Sequence, residues 1–377
     1  MWVPLRVVPA RIVLFGATGY TGRLTAERLL ALGERPLLAG RSEEKLASLA
    51  AELGALEWQR ADVFRRNSVF DLVDDGDVLV STVGPFVKWG EPAVAAAIAA
   101  RGTYIDSTGE PDFIRRVFEQ WGVSAARGGA RLMTAMGYDF VPGALAGALA
   151  LEQAGEAAVR VDVGYYALGG GPDALSEGTK ASMVGATLND GFAFRDGRVQ
   201  VARPAERVRT FRVKGRTRDA ISIGGAEHFT LPAAYPRLRE VNVYLGWFPG
   251  LARPIQAASL VGSAMTRVPG VRGALQMAGE RLVGLTGSPE AGTTPGVTSW
   301  IAAEAYDASG LPLAEVHLSG EDAYAFTASF LAWAAKRALR EGVEGAGPLG
   351  PVEAFGLPAL VEGCKFAGLA RVEQPAG

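Results

Sequence analysis

The segment IVLFGATGYTGRLTAERLL, Ile12 to Leu30, sets Gly16, Gly19 and Gly22 at a spacing of three between an apolar run and a run with helical periodicity. Glycine loses more backbone freedom on folding than any other residue, so three at a fixed interval imply unusual dihedrals or close approach. The apolar stretch Ile12–Phe15 reads as a buried strand, and a helix starts near Gly22. The start of such a helix carries unpaired amides and partial positive charge, which suit a phosphate group. Gly16 then permits the tight turn, Gly19 the approach of a ligand to backbone, and Gly22 the packing of helix on strand.

The surroundings make this pattern specific. From Arg11 to Ala135 the runs RIVLF, RPLLAG, ALEWQ, DVLVST, GTYIDS and ARLMTA read as strands, separated by segments with helical spacing. Apolar strands alternating with helices imply a parallel sheet covered on both faces, a Rossmann-type doubly wound α/β fold. In that context G-x-x-G-x-x-G is a variant of the dinucleotide fingerprint. Its expected cradle is Gly16, Ala17, Thr18, Gly19, Tyr20, Thr21 and Gly22.

The second strand ends LLAGRSEEK, with no carboxylate where a free ribose hydroxyl is usually met. Arg41, followed by Ser42, offers a charged fork suited to a 2′-phosphate, so NADP(H) is expected rather than NAD(H). Asp62, after the third strand, is a candidate for the adenine amine, with a plain strand-end acid as the other reading. Thr82, Val83, Gly84 and Pro85 follow the fourth strand, where the nicotinamide half would lie against backbone.

Past about Leu151 strand-like runs predominate, in VRVDVGYYAL, RVQVAR, RTFRV and EVNVYLGWF, and SEGTKASMVGATLNDG begins a helix. This pattern predicts a second, α+β domain. VTSWIAAEAYDASGLPLAEVHLSG reads as a hairpin around Ser309-Gly310, and EDAYAFTASFLAWAAKRALREG as a long amphipathic helix. FVPGALAGALAL is expected to be a buried helix. The expected division is 1–145 for nucleotide binding, 146–320 for substrate or dimerisation, and 321–377 for C-terminal helices.

Composition narrows the function classes. A net charge of −2 argues against nucleic-acid binding, and one cysteine, Cys364, fits a reducing compartment. With only His228 and His317 and no cysteine cluster, no metal site is expected. No run of about 18 apolar residues is present, so no transmembrane segment is expected and the reading is cytoplasmic. The apolar segment from Tyr244 to Leu285, broken by glycines and prolines, is open to three readings. It could cover a hydrophobic cleft, form core or a homodimer interface, or touch a membrane surface.

The motifs GATGYTG, AGRS, STVGPF, GTYIDSTGE, GYDFVPG and SEGTKASMV, with PLGPVEAFGLPALVEG near the end, resemble the saccharopine dehydrogenase-like oxidoreductase family. That family includes saccharopine reductases and the trans-acting enoyl reductases of complex-lipid biosynthesis. The resemblance implies NADP(H) binding, reduction or dehydrogenation of a small molecule, and C-terminal helices that return to the first domain. Short-chain dehydrogenases share the glycine turn but need a lysine four positions after a tyrosine, and no tyrosine here has one.

Candidates for proton transfer lie at the ends of later strands: Tyr104 and Asp106 in GTYIDSTGE, Tyr138 and Asp139 in MGYDFVPG. Asp139 also reads as a helix N-cap, and Lys180 as a solvated residue near the cleft. Both histidines are expected in second-domain strands. A saccharopine-type amino-acid dehydrogenase and a non-catalytic NADP(H)-binding regulator stay open as alternatives.

Overall fold

The computed structural model describes residues 9–169, 191–247, 250–265, 298–320 and 322–373, with side chains left aside from 261 to 265. The helix expected in SEGTKASMVGATLNDG, Lys180 with it, and the part of the apolar segment beyond Met265 lie outside the described residues.

All six runs expected as strands in the first part are strands: β1 (Ile12–Phe15), β2 (Leu37–Gly40), β3 (Trp58–Arg60), β4 (Val78–Ser81), β5 (Thr103–Asp106) and β6 (Arg131–Met133). Every residue of β1, β2, β4 and β5 is buried, which explains why these strands are apolar throughout instead of alternating. They pair in parallel in the order 3-2-1-4-5-6, the doubly wound order.

The second sheet, nine-stranded among the described residues, is mixed. It contains β7 (Arg160–Leu168), β8 (Gly191–Arg195), β9 (Arg198–Ala202), β10 (Val208–Val213), β11 (Arg216–Ile223), β12 (Glu240–Leu245), β13 (Thr298–Tyr306) and β14 (Pro312–Gly320). β13 and β14 form the hairpin expected at Ser309-Gly310, with Gly310 in the left-handed region at φ 87°. One expectation fails here. His317 lies on β14, but His228 lies on the helix Glu227–Ala234, because the chain leaves β11 through Gly224 and Gly225 and turns.

The helix Val141–Ala154 packs on β7, β13 and β14, and most of its residues are buried, as its uninterrupted apolar sequence requires. The helix Ala323–Arg340 is capped by Asp322, whose carboxylate accepts from the amides of Tyr324 (2.8 Å) and Ala325 (3.1 Å). It buries Phe326, Phe330, Leu331, Ala334 and Ala335, and packs on the helix Tyr20–Ala31 and on β1, β4 and β5 of the first sheet. A fully buried phenylalanine such as Phe330 contributes about 1.5–3 kcal/mol. The ion pair Arg340–Glu34 (2.9 and 2.7 Å) and the Lys336 ammonium on the Leu32 carbonyl (2.9 Å) fasten its far end. The chain then adds β15 (Gly347–Pro348) beside β6 in the first sheet and β16 (Ala370–Arg371) beside β14 in the second.

Candidate functional site

The glycine turn joins β1 to the helix Tyr20–Ala31. Gly16 has φ 93°, and a Cβ there would lie 2.6 Å from Thr82 Oγ1 and 3.0 Å from Val83 Cγ2. Thr82 Oγ1 donates toward the Gly16 carbonyl (3.1 Å), so the turn and the loop after β4 are locked together. A Cβ on Gly22 would overlap the Gly16 carbonyl and sit 2.9 Å from Ala17 Cα. Gly19 differs, since a Cβ there would meet only the Gly16 carbonyl oxygen, at 3.3 Å, with no other atom within 4 Å. Gly19 is also the helix N-cap and offers no side chain, so none caps the first amides.

Around this turn the other expected cofactor residues collect. Thr18 Oγ1 lies 3.8 Å from where a Cβ on Gly40 would be, which brings the end of β2 beside the turn. Arg41 is exposed there, and no ion pair or hydrogen bond engages it among the described residues. Ser42 caps the helix Glu43–Glu52 by accepting from Lys45 N at 3.4 Å. Asp62 is half-buried and accepts from Phe64 N (3.0 Å), which shapes its own loop. Tyr20 turns its ring edge-on to Tyr324, 5.4 Å between centroids, and so helps seat the C-terminal helix. Thr82 and Val83 are half-buried, Gly84 and Pro85 exposed, at the carboxyl end of β4.

The four proton-transfer candidates divide into two pairs. Tyr104 and Asp106 are fully buried and point to the same side of β5. Asp106 Oδ1 accepts from the amides of Thr108 (2.9 Å) and Ala135 (2.9 Å), and Oδ2 accepts from Thr134 Oγ1 (2.8 Å). This carboxylate brackets the ends of β5 and β6; burial raises its pKa to about 6 against the pull of those hydrogen bonds.

Tyr138 and Asp139 lie on the loop after β6. That loop is bounded by two non-glycine residues at positive φ, Ala135 (60°) and Phe140 (87°). Such conformations cost about 1–3 kcal/mol each and cluster where a loop is held for a function. Asp106 pins one end, and Thr327 Oγ1 accepts from Tyr138 N (2.9 Å) at the centre. Tyr138 is buried edge-on to Phe326, and its hydroxyl is directed toward Ser299. Asp139 is exposed on this loop, and desolvation by the protein around it raises its carboxyl to about 6. It lies over Gly109, where a Cβ would be 2.6 Å from Asp139 Oδ2. Asp139 does not cap the helix Val141–Ala154, since Phe140 occupies the cap position.

Sequence reasoning missed Tyr165, on β7, and Glu227, at the start of the helix Glu227–Ala234, which lie against the end of this loop at Phe140. The Tyr165 hydroxyl donates to Glu227 Oε1 (2.6 Å) and accepts from Gly143 N (2.8 Å), all three buried. Glu227 Oε2 has no hydrogen-bond partner, and burial raises this acid to about 8, with the charge of Asp139 adding to the rise. His228, next on the helix, is buried against the Gly225 backbone, and burial lowers it to about 4, so it is neutral. The acid of GGAEHF, one residue past two glycines, was the available signal.

Among the described residues, no cluster of three or more His, Cys, Asp or Glu side chains is placed to hold a metal ion. No helix there is long and apolar enough to cross a membrane. Of the apolar segment, Tyr244 is buried in β12, Trp247 is half-buried, and Leu251 and Leu260 are exposed beside or on the helix Ala252–Met265.

No family model matches the chain. A trans-acting enoyl reductase of Mycobacterium leprae is 42% identical over 138 residues, and one of Mycobacterium tuberculosis is 40% identical over 137. Each match spans 35% of this chain and 33% of the relative, so the chain matches about a third of the length of these curated relatives. Saccharopine dehydrogenase (L-Glu forming) of Saccharomyces cerevisiae superimposes with a TM-score of 0.59 at 13% identity, over 97% of this chain and 100% of that one. A third of the chain is thus similar in sequence to trans-acting enoyl reductases, and nearly all of it shares the fold of a saccharopine dehydrogenase.

Proposed function

We propose that this chain is an NADP(H)-dependent oxidoreductase that reduces a C=C, C=O or C=N bond of a hydrophobic or acyl-type small molecule. The observation that carries this reading is the uncapped helix N-terminus at Gly19, set at the carboxyl ends of β1 and β4, where the strand order of the doubly wound sheet reverses. The residues fit a dinucleotide: Gly16 and Gly22 leave no room for a Cβ, while at Gly19 a Cβ would meet a single protein atom, the Gly16 carbonyl oxygen at 3.3 Å.

In this reading the amides after Gly19 hold the pyrophosphate, and Arg41 meets the 2′-phosphate. Ser42 and Asp62 shape the adenine side through the turns they cap. Thr82 to Pro85 give the nicotinamide half a backbone surface. The bound cofactor supplies a hydride, and the chain must supply the matching proton. Asp139 is the group we assign to that task, because it is accessible and its carboxyl is tuned toward neutrality. Tyr138 orients the loop through Ser299, while Tyr104 and Asp106 support it from below. The sequence similarity to enoyl reductases favours an enoyl or related acyl substrate over a compact amino acid.

The test is direct binding of NADPH and NADH, followed by NADPH oxidation over a panel of enoyl thioesters, carbonyls and imines. Binding of NADPH with turnover of one class supports the reading. A folded protein that binds neither cofactor would overturn it.

A further inference from the structure

The loop 82–85 after β4 is tied at its near end to the glycine turn by Thr82, and at its far end it runs into the four-residue helix Phe86–Trp89. A helix this short leaves its first amides unpaired, and Pro85 at the cap position makes no side-chain hydrogen bond to them. Those amides are met from another strand. Glu110, on the loop after β5, accepts from Phe86 N through Oε1 (2.7 Å) and from Val87 N through Oε2 (3.0 Å). One carboxylate thus gives one oxygen to each amide, a charge-assisted pair that fixes geometry as well as holding the chain. Arg116 adds a contact from the same side by donating to the Val87 carbonyl at 3.3 Å. The Phe86 ring packs on Phe113 of the helix Pro111–Arg116, 5.6 Å between centroids, and Gly90 leaves room for that ring.

Glu110 is itself held by a chain of alternate side chains in DSTGE. Asp106 Oδ1 accepts from Thr108 N (2.9 Å), and Thr108 Oγ1 accepts from Glu110 N (3.1 Å). The same segment reaches the loop after β6, where Asp106 accepts from Thr134 Oγ1 and Ala135 N and Gly109 leaves the space beside Asp139 Oδ2. Residues 106–110 therefore join the loop after β4, through Glu110, to the loop that carries Asp139, through Asp106 and Gly109. The two helix starts at this edge also differ in charge. No side chain caps the first amides of Tyr20–Ala31, whereas a carboxylate already occupies those of Phe86–Trp89. A phosphate is drawn to the first and turned away from the second, which leaves the loop 82–85 to the end of a dinucleotide that carries no phosphate.

We propose that Glu110 is a positioning residue for the nicotinamide half of the cofactor. It fixes the loop 82–85 against which the ring lies, in register with the loop that carries Asp139. The role rests on the reductase reading above. Glu110 acts through the amides of Phe86 and Val87, so its effect falls on where the ring sits and not on the adenine half, which Gly19 and Arg41 hold. Glutamine at 110 keeps one acceptor oxygen and turns an NH2 group toward the other amide, so one of the two hydrogen bonds is lost.

Titration calorimetry of the full chain with NADPH, and with 2′-phospho-ADP-ribose, which is the same molecule without its nicotinamide ring, separates the two halves. The wild type should bind both. Glu110→Gln should keep its affinity for 2′-phospho-ADP-ribose and bind NADPH roughly tenfold more weakly, the size of one charge-assisted hydrogen bond. Thr108→Val removes the acceptor for Glu110 N and should shift the same ratio by less; it carries the comparison if Glu110→Gln does not fold. A merely structural role would lower the melting temperature and leave the ratio of the two affinities as it is in the wild type. An unchanged ratio in the folded variants would therefore overturn the assignment and leave the reductase reading standing. A wild type that binds neither ligand defeats that reading, and this role falls with it.

Discussion

Gly22 stands over the carbonyl of Gly16, so close that a Cβ would overlap that oxygen and lie 2.9 Å from Ala17 Cα, whereas a Cβ on Gly19 between them would meet only that same oxygen, at 3.3 Å. The three glycines therefore do different work. Gly22→Ala should strain the turn by about 1–3 kcal/mol and lower the melting temperature. Gly19→Val should remain folded and lose NADPH binding. Calorimetric melting and fluorescence binding on both variants separate the two effects. Tight NADPH binding by a folded Gly19→Val would show that the pyrophosphate does not lie there.

Arg41 is exposed and engages no partner among the described residues, so Arg41→Ala should leave the melting temperature unchanged. A charged contact to a 2′-phosphate contributes about 1.5–3 kcal/mol. NADPH should then bind roughly tenfold or more weakly to the variant, with NADH little affected. Equal dissociation constants for the two cofactors in the wild type would remove the basis for NADP(H) preference.

Asp106 ties Thr108, Thr134 and Ala135 together through three hydrogen bonds to its two oxygens. Asn at this position keeps one acceptor oxygen and presents donors where acceptors are needed, so Asp106→Asn should cost about 1–3 kcal/mol. Denaturant melts test this. A variant as stable as the wild type would mean that the loop carrying Asp139 is held by other contacts.

Glu227 offers a pH prediction with a definite sign. Its folded pKa of about 8 lies above the ordinary glutamate value, so the folded state binds the proton more tightly than the unfolded chain. Stability from this group is therefore present below the unfolded value and declines as pH rises toward about 8. Glu227→Gln cannot ionise. It should match the wild type below about pH 4 and melt higher than the wild type above about pH 8. Parallel curves for the two proteins across that range would contradict a proton held on Glu227.

The first sheet was legible because two-sided burial leaves strands such as VLVS and IVLF uninterruptedly apolar, and because the glycine turn has a definite mechanical role. β15 was not legible, as two residues, Gly347 and Pro348, carry no periodic signal. The helix Glu227–Ala234 contains Pro232 and begins with an acid and a histidine, which hides its helical character. Glu227 was missed for a related reason. An acid reads as solvated until its partner is known, and Tyr165 lies 62 residues away. Tyr104 and Asp106 drew attention as polar groups at a strand end, but both faces of β5 are covered, so both are buried whichever face they point to.

The return of the helix Ala323–Arg340 to the first sheet has a consequence for biosynthesis. The apolar faces of β1, β4 and β5 that this helix covers leave the ribosome long before it does. At ordinary elongation rates the nascent sheet stays uncovered for roughly 10–40 s. During that interval, it presents the kind of surface that chaperones bind and that aggregates share. Completion of the first sheet's cover is thus tied to a segment translated after most of the second sheet, and a ribosome stalled in the second sheet would release a chain with that layer still open.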